Sequence, residues 1–198
     1  MATEFPSSSD PSAWGKIILL NGASSSGKST LAAALQQVLD EPFWHYSIDH
    51  LLAAKVLPSK RIEEGHFSWR DLRPQFFAGF HATLPVLAEA GNNLIVEHIV
   101  ETAEWMERLT RLLERHDVYF VGLHCPLEEL ERRERARGDR RIGEARVDFE
   151  TTHRFCFYDL EVSSTPPVQQ TAEAVAAAWR QRSSSGAFPR MVRHPSAA

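Results

Sequence analysis

Gly22-Ala23-Ser24-Ser25-Ser26-Gly27-Lys28-Ser29 fits the spacing G-x-x-x-x-G-K-[ST], and its flanks decide what it means. Before it runs Lys16-Ile17-Ile18-Leu19-Leu20-Asn21, a buried-strand pattern; after it Leu31, Leu35, Val38 and Leu39 recur at helical spacing until Pro42. A strand, a glycine-bounded turn and a helix in that order make a phosphate-binding loop, because the glycines let successive N–H groups turn inward and the helix N-terminus adds positive potential. The expected nucleotide contacts are Gly22, Ala23, Ser24, Ser25, Ser26, Gly27, Lys28, Ser29 and Thr30, with Lys28 on the outer phosphates and Ser29 on Mg²⁺.

Working outward, short apolar runs alternate with helical patterns. Strands are predicted at Trp44 to Ile48, Leu94 to Val96, Val118 to His124 and Leu160 to Ser163. Between them lie a helix-turn region from Leu51 to about Ala90, a helix carrying Trp105, Leu109, Leu112 and Leu113, an Arg/Glu-rich helical stretch from Leu127 to about Thr152, and a closing helix from Ala172 to Trp179. Such alternation predicts an α/β fold, a parallel sheet of about five strands with helices on both faces and ligands at the strands' carboxyl ends. Residues 1–13 read as a flexible leader, 14–182 as one domain, and the aperiodic run 183–198 as a flexible tail.

The 198 residues carry 22 Lys and Arg against 26 Asp and Glu, a net charge of −4 that calls for no nucleic acid. No secretory pattern opens the chain and no apolar run reaches the roughly 20 residues of a membrane span, so no membrane is expected and the cytoplasm is the expected location. Cys125 and Cys156 have neither disulfide-framework nor zinc spacing. The oligomeric state is not encoded in any pattern.

Asp49 follows the second predicted strand, where a carboxylate can take the proton of an attacking hydroxyl; the plainer alternative is an N-cap for a helix starting at His50. Glu97 closes the third strand, where an acid can hold Mg²⁺, and His98 beside it is either a substrate contact or a structural hydrogen-bonding group. The arginines of residues 132–146 could be a solvated helix face, but Gly138 amid Ala136-Arg137-Gly138-Asp139-Arg140-Arg141 suggests a lid. Arg137 and Arg140 are then the candidates for stabilising the transferred phosphoryl group, and Arg133 for stacking on adenine. The turn Ser163-Ser164-Thr165-Pro166-Pro167 either borders that base or merely connects two elements. Phe76, Phe77 and Phe80 either pack the core or line an apolar substrate pocket.

GASSSGKS, YSIDHLL, LIVEHIV, VYFVGLHCPLEELERRERARGDR and YDLEV occur in the order found in chloramphenicol phosphotransferase and its relatives, which residues 16–180 resemble. The resemblance implies a P-loop kinase fold with an Arg-rich lid and ATP/Mg²⁺-dependent phosphorylation of a hydroxyl. It also implies that Asp49 is the general base, with Lys28 and Ser29 the phosphate and magnesium residues. The chain departs from the family at Glu97-His98, where an acidic pair is expected, and in a shorter segment from Ala53 to Asp71. The expected activity is an O-phosphotransferase acting on a small hydroxylated antibiotic such as chloramphenicol. The alternatives are a metabolic kinase for a sugar, acid or nucleoside, and a nucleotide-binding regulatory module.

Overall fold

The computed structural model describes residues 10–137, 143–182, 186–188 and 191, with Arg137 described by its backbone alone. In chain order the elements are β1 (Ile17–Asn21), α1 (Lys28–Val38), β2 (Trp44–Ser47), α2 (Ile48–Ala53), α3 (Ser59–Glu63), α4 (Trp69–Glu89) and β3 (Leu94–His98). Then follow α5 (Ala103–Leu112), β4 (Val118–His124), α6 (Leu127–Arg137), α7 (Glu144–Thr151), β5 (Leu160–Ser163) and α8 (Val168–Gln181). The five strands pair in parallel in the order β2-β3-β1-β4-β5.

β1 reads as an unbroken apolar run because both of its faces are covered. Ile17 and Leu19 point into a core built with Phe80 and Leu84 of α4 and Leu109 of α5. Ile18 and Leu20 point the other way, onto Leu31 and Leu35 of α1 and Val175 of α8. The neighbours obey the same two-residue period: Leu94, Val96 and Phe120 join the first core, Ile95 and Val121 the second. From β1 the chain leaves toward β2 and β3 on one side and reaches β4 and β5 on the other. The carboxyl end of β1 is therefore the switch point at which a parallel sheet opens a crevice.

Several boundaries differ from the pattern-based expectation. β2 stops at Ser47, and Ile48 already belongs to α2. β3 continues through Glu97 to His98, two residues past the apolar run. The region from Leu51 to Ala90 resolves into the end of α2, then α3 and α4, and the Arg/Glu stretch into α6 and α7.

The expected flexible tail needs correction where it is described. Ala187 and Phe188 are fully buried and Met191 nearly so. Phe188 stands edge-on to Phe120 at 5.4 Å, and the Ala187 N–H donates to Asp159 Oδ1 at 2.6 Å. Three apolar residues suffice to seal the end of the first core, too few to show a period. In the expected leader, Pro11–Ala13 form a single 3₁₀ turn capped by Asp10, and the following Trp14 stacks on His116; residues 1–9 lie outside the described residues. Among the described residues no helix is long and apolar enough to cross a membrane.

Candidate active site

The site begins at the turn out of β1. A Cβ on Gly22 would stand 2.7 Å from the Leu123 carbonyl oxygen, so only glycine lets the loop pass this close to β4. Gly27 caps α1 at φ 97°, a conformation that side chains resist. Between them Ser25 also adopts positive φ, 63°. Lys28 is folded back over the loop and donates to the carbonyl oxygens of Gly22 and Ala23 at 2.8 and 2.9 Å. Asn21 anchors the loop from beneath: its Nδ2 donates to the Thr152 carbonyl and to Tyr158 Oη, while its Oδ1 accepts the Val100 N–H.

Next to the loop, Ser29 of α1 donates its hydroxyl to Glu97 Oε2 at 2.9 Å. His45 of β2 holds Glu97 Oε1. Burial pushes the Glu97 carboxyl up, but the hydrogen bond from His45, the charge of Lys28 and the Ser29 hydroxyl outweigh it and leave the group below the usual carboxylate range. Hard oxygen donors at a phosphate loop are the set that Mg²⁺ takes, with the phosphates supplying the rest. The two residues expected to bind metal are thus brought together.

Asp49 stands in the first turn of α2 and lines the same cleft. The alternative N-cap role needs correction, because Ser47 Oγ is the cap, accepting the His50 N–H at 3.1 Å. The cleft has a volume of about 1820 Å³, above the 300–1,000 Å³ common for a single small ligand and large enough for two. Ser164 to Pro167 border one part of it. Arg133 reaches from α6 to the same place, donating to the carbonyl oxygens of Ser26 and Ser164 at 3.1 and 3.3 Å, with Glu129 behind it. Arg140 lies outside the described residues, and Arg137 closes α6 with its backbone alone described. Arg132 and Arg146 pair with Glu129 and Glu131, as the solvated-face reading expects.

The cleft is also lined by Trp69, Arg73, Phe77, His98 and Glu101. Of the three candidate phenylalanines only Phe77 reaches it. Phe80 is buried against Tyr46, ring centroids 5.1 Å apart, and Phe76 packs edge-on to Trp69, so both serve the core. Arg73 stacks its guanidinium on Phe77 and Trp105 at 4.7 and 4.8 Å and pairs with Glu101. Burial raises the Glu101 carboxyl above the ordinary range even beside Arg73. His98 is 4% exposed, and its Nε2 lies 2.6 Å from His81 Nε2. Burial pulls His98 down to about 3 and His81 to about 4, so both are neutral. His98 therefore touches the cleft and is held by a structural partner at once.

Trp69, Arg73, Glu101 and His45 do not stand out in the sequence. A signal existed for two of them: Trp69, Arg73, Phe77 and His81 are spaced by four and form one stripe along α4. Asp148 of α7 is another, its Oδ2 accepting the Ser24 N–H at 2.9 Å.

Residues 15–180 match the family model described as chloramphenicol phosphotransferase-like protein. Two curated proteins of Mycobacterium tuberculosis, strains CDC 1551 / Oshkosh and ATCC 25618 / H37Rv, each carry the name "Putative O-phosphotransferase". Each is 30% identical over 197 residues, covering 89% of this chain and 88% of the relative. Among solved structures, the Mycobacterium tuberculosis APS kinase in complex with AMPPNP and APS superposes with a TM-score of 0.63 at 22% identity, covering 84% of this chain and 98% of that one. A tunicamycin resistance protein from Deinococcus radiodurans gives 0.60 at 23%, covering 82% and 94%. A gluconokinase from Sinorhizobium meliloti 1021 gives 0.58 at 17%, covering 92% and 97%. At these identities the structures establish a shared P-loop kinase fold.

Proposed function

The chain belongs to the chloramphenicol phosphotransferase-like family and is a small-molecule kinase with a hydroxyl acceptor, and on that premise we propose that it transfers the γ-phosphoryl group of ATP to a hydroxyl of an antibiotic-like compound with an aromatic or apolar body. The observation that carries this reading is the composition of one cleft, which has a phosphate loop and Ser164 to Pro167 on one side and Asp49, Trp69 and Phe77 on the other. Phosphoryl transfer asks little covalent chemistry of a protein and much positioning. Gly22 to Thr30 hold the phosphates by their N–H groups, Lys28 turns from its carbonyl partners to the outer phosphates, and Arg133 and Ser164 flank the base. Ser29 and Glu97 would hold Mg²⁺, which would supply neutralising charge at the phosphates. Asp49 accepts the proton of the attacking hydroxyl, and stabilising the charge that builds on the transferred group is the role assigned to Arg137 and Arg140.

The acceptor side favours an amphiphile. Trp69 and Phe77 offer flat apolar surface, while Arg73, Glu101 and His98 offer a few oriented polar atoms, the mixture that fixes a small ligand's orientation. A cytoplasmic location, where ATP is available, is part of this reading. The reading is tested by incubating the protein with Mg²⁺ and ATP against hydroxylated antibiotics, chloramphenicol among them, together with sugars, hydroxy acids and nucleosides, and reading products by mass. A gain of one phosphoryl group on an aromatic or apolar alcohol is expected. Gain confined to sugars, acids or nucleosides would overturn the antibiotic assignment and leave a metabolic kinase.

A further inference from the structure

Glu97 has two oxygens, and each is already assigned to a different element of the fold. Its side chain, 9% exposed, rises from β3 beneath the phosphate loop. Oε2 accepts the Ser29 hydroxyl from α1 at 2.9 Å, and Oε1 meets Nε2 of His45 from β2. A carboxylate only accepts, so His45 Nε2 carries the hydrogen of this bond. The ring cannot easily leave. Its strand is locked in register, with His45 opposite Ile95 and Ser47 opposite Glu97, and its own face stands edge-on to His50 at 4.4 Å. Because strand residues two apart share a face, His45 and Glu97 lie diagonally on the side of the sheet that α1 covers.

The terminal torsion of a glutamate is broad, and burial alone does not choose which oxygen faces Ser29. We propose that His45 is a positioning residue that pins Glu97 Oε1, so that Oε2 and the Ser29 hydroxyl stand preset as a pair for the cation that accompanies the nucleotide. This inference rests on the ATP·Mg²⁺ reading above and adds to it a residue that touches neither nucleotide nor acceptor. Outer partners that orient a ligating side chain are worth about 10- to 100-fold in metal affinity. A residue that served only to hold β2 in place would weaken nucleotide binding whether or not metal was present.

The test needs no acceptor and so stands apart from the substrate assignment. ADP binding is measured by calorimetry with EDTA and over a Mg²⁺ series for wild type, His45→Ala and His45→Gln, and Mn²⁺ bound with ADP is counted by electron paramagnetic resonance. Wild type is expected to bind ADP more tightly as Mg²⁺ rises. His45→Ala should need at least about tenfold more Mg²⁺ or Mn²⁺ for the same gain, with ADP affinity in EDTA unchanged. His45→Gln, whose amide N–H can donate to the same oxygen, should recover most of the loss. An unaltered Mg²⁺ requirement in His45→Ala, an equal loss with and without metal, or a His45→Gln as impaired as His45→Ala would each overturn the proposal. If wild-type ADP binding ignores Mg²⁺ altogether, the metal reading fails and takes this inference with it.

Discussion

Asp49 shows how a single position can be relieved of one role and left with another. Ser47 already supplies the cap of α2, so the carboxylate of Asp49 is not needed to start that helix, and it stands at the cleft next to the loop. Replacing Asp49 with Asn keeps the size and the helix but removes the carboxylate proposed as the base. Nucleotide affinity should stay within about twofold while turnover falls by about 10²- to 10⁴-fold, the usual worth of general-base catalysis. Both quantities are to be measured on one preparation. Turnover within about twofold of wild type would move the base elsewhere. The loop, Asp49 and Glu97 were legible in the sequence because each lies within a few residues of a strand end. Arg73 and Glu101 were not, since their pairing joins α4 to the segment after β3 across 28 positions. Only the fold brings them to one wall.

At the scale of elements, α6 and α7 act as one body clamped onto the phosphate loop. Glu134, almost wholly buried, accepts the N–H groups of Gly143 and Ala145 and so caps α7 from within α6, which holds its carboxyl below the ordinary range. Arg146 and Glu131 add an ion pair between the two helices. The pair then grips the loop twice, with Arg133 on the carbonyls of Ser25 and Ser26 and Asp148 on the N–H of Ser24. An N–H of a phosphate loop is an anion site, and here a carboxylate sits on it. Asp148→Asn should therefore tighten ADP, because the competing contact to the Ser24 N–H loses its charge and with it roughly half its strength. Calorimetry checks this, and weaker binding would instead assign Asp148 to the nucleotide-bound state. The periodic helices and buried strands could be read in advance. The break between α6 and α7 had one signal, Gly138, inside a Glu/Arg-rich composition that runs through both.

For the molecule as a whole, the described residues bury more ionisable chemistry than an apolar count suggests. His81 and His98 face each other in the core beneath Phe77, Phe80 and Trp105, and burial, more than neighbouring charge, depresses both, to about 4 and about 3. Their ordinary value is near 6.5, so between that pH and about 4 the unfolded chain binds protons that the folded chain does not. Stability must then rise with pH across this window: the contribution of the neutral pair is fully present above about 6.5 and is lost progressively as pH falls toward the folded values. Each histidine neutral in the native state and charged in the unfolded one gives a limiting slope of about 1.4 kcal/mol per pH unit. Glu97 is depressed as well, but it draws on stability only below the carboxylate range; the interval from 6.5 to 5 belongs to the buried histidines together, with His153, drawn to about 4, and His116 adding to the pair while the raised Glu101 works in the opposite sense. Urea midpoints recorded at pH 7.5, 6.5, 5.5 and 5.0 should stay level over the first step and decline over the others. Imidazole resonances of His81 and His98, followed by NMR in the folded protein, should not titrate above pH 5. A midpoint that is flat or rising from 6.5 to 5.0 would mean that these histidines as a set are not held neutral by the fold, and a His81 resonance that titrates near 6.5 would mean that the His81–His98 pair is open to water.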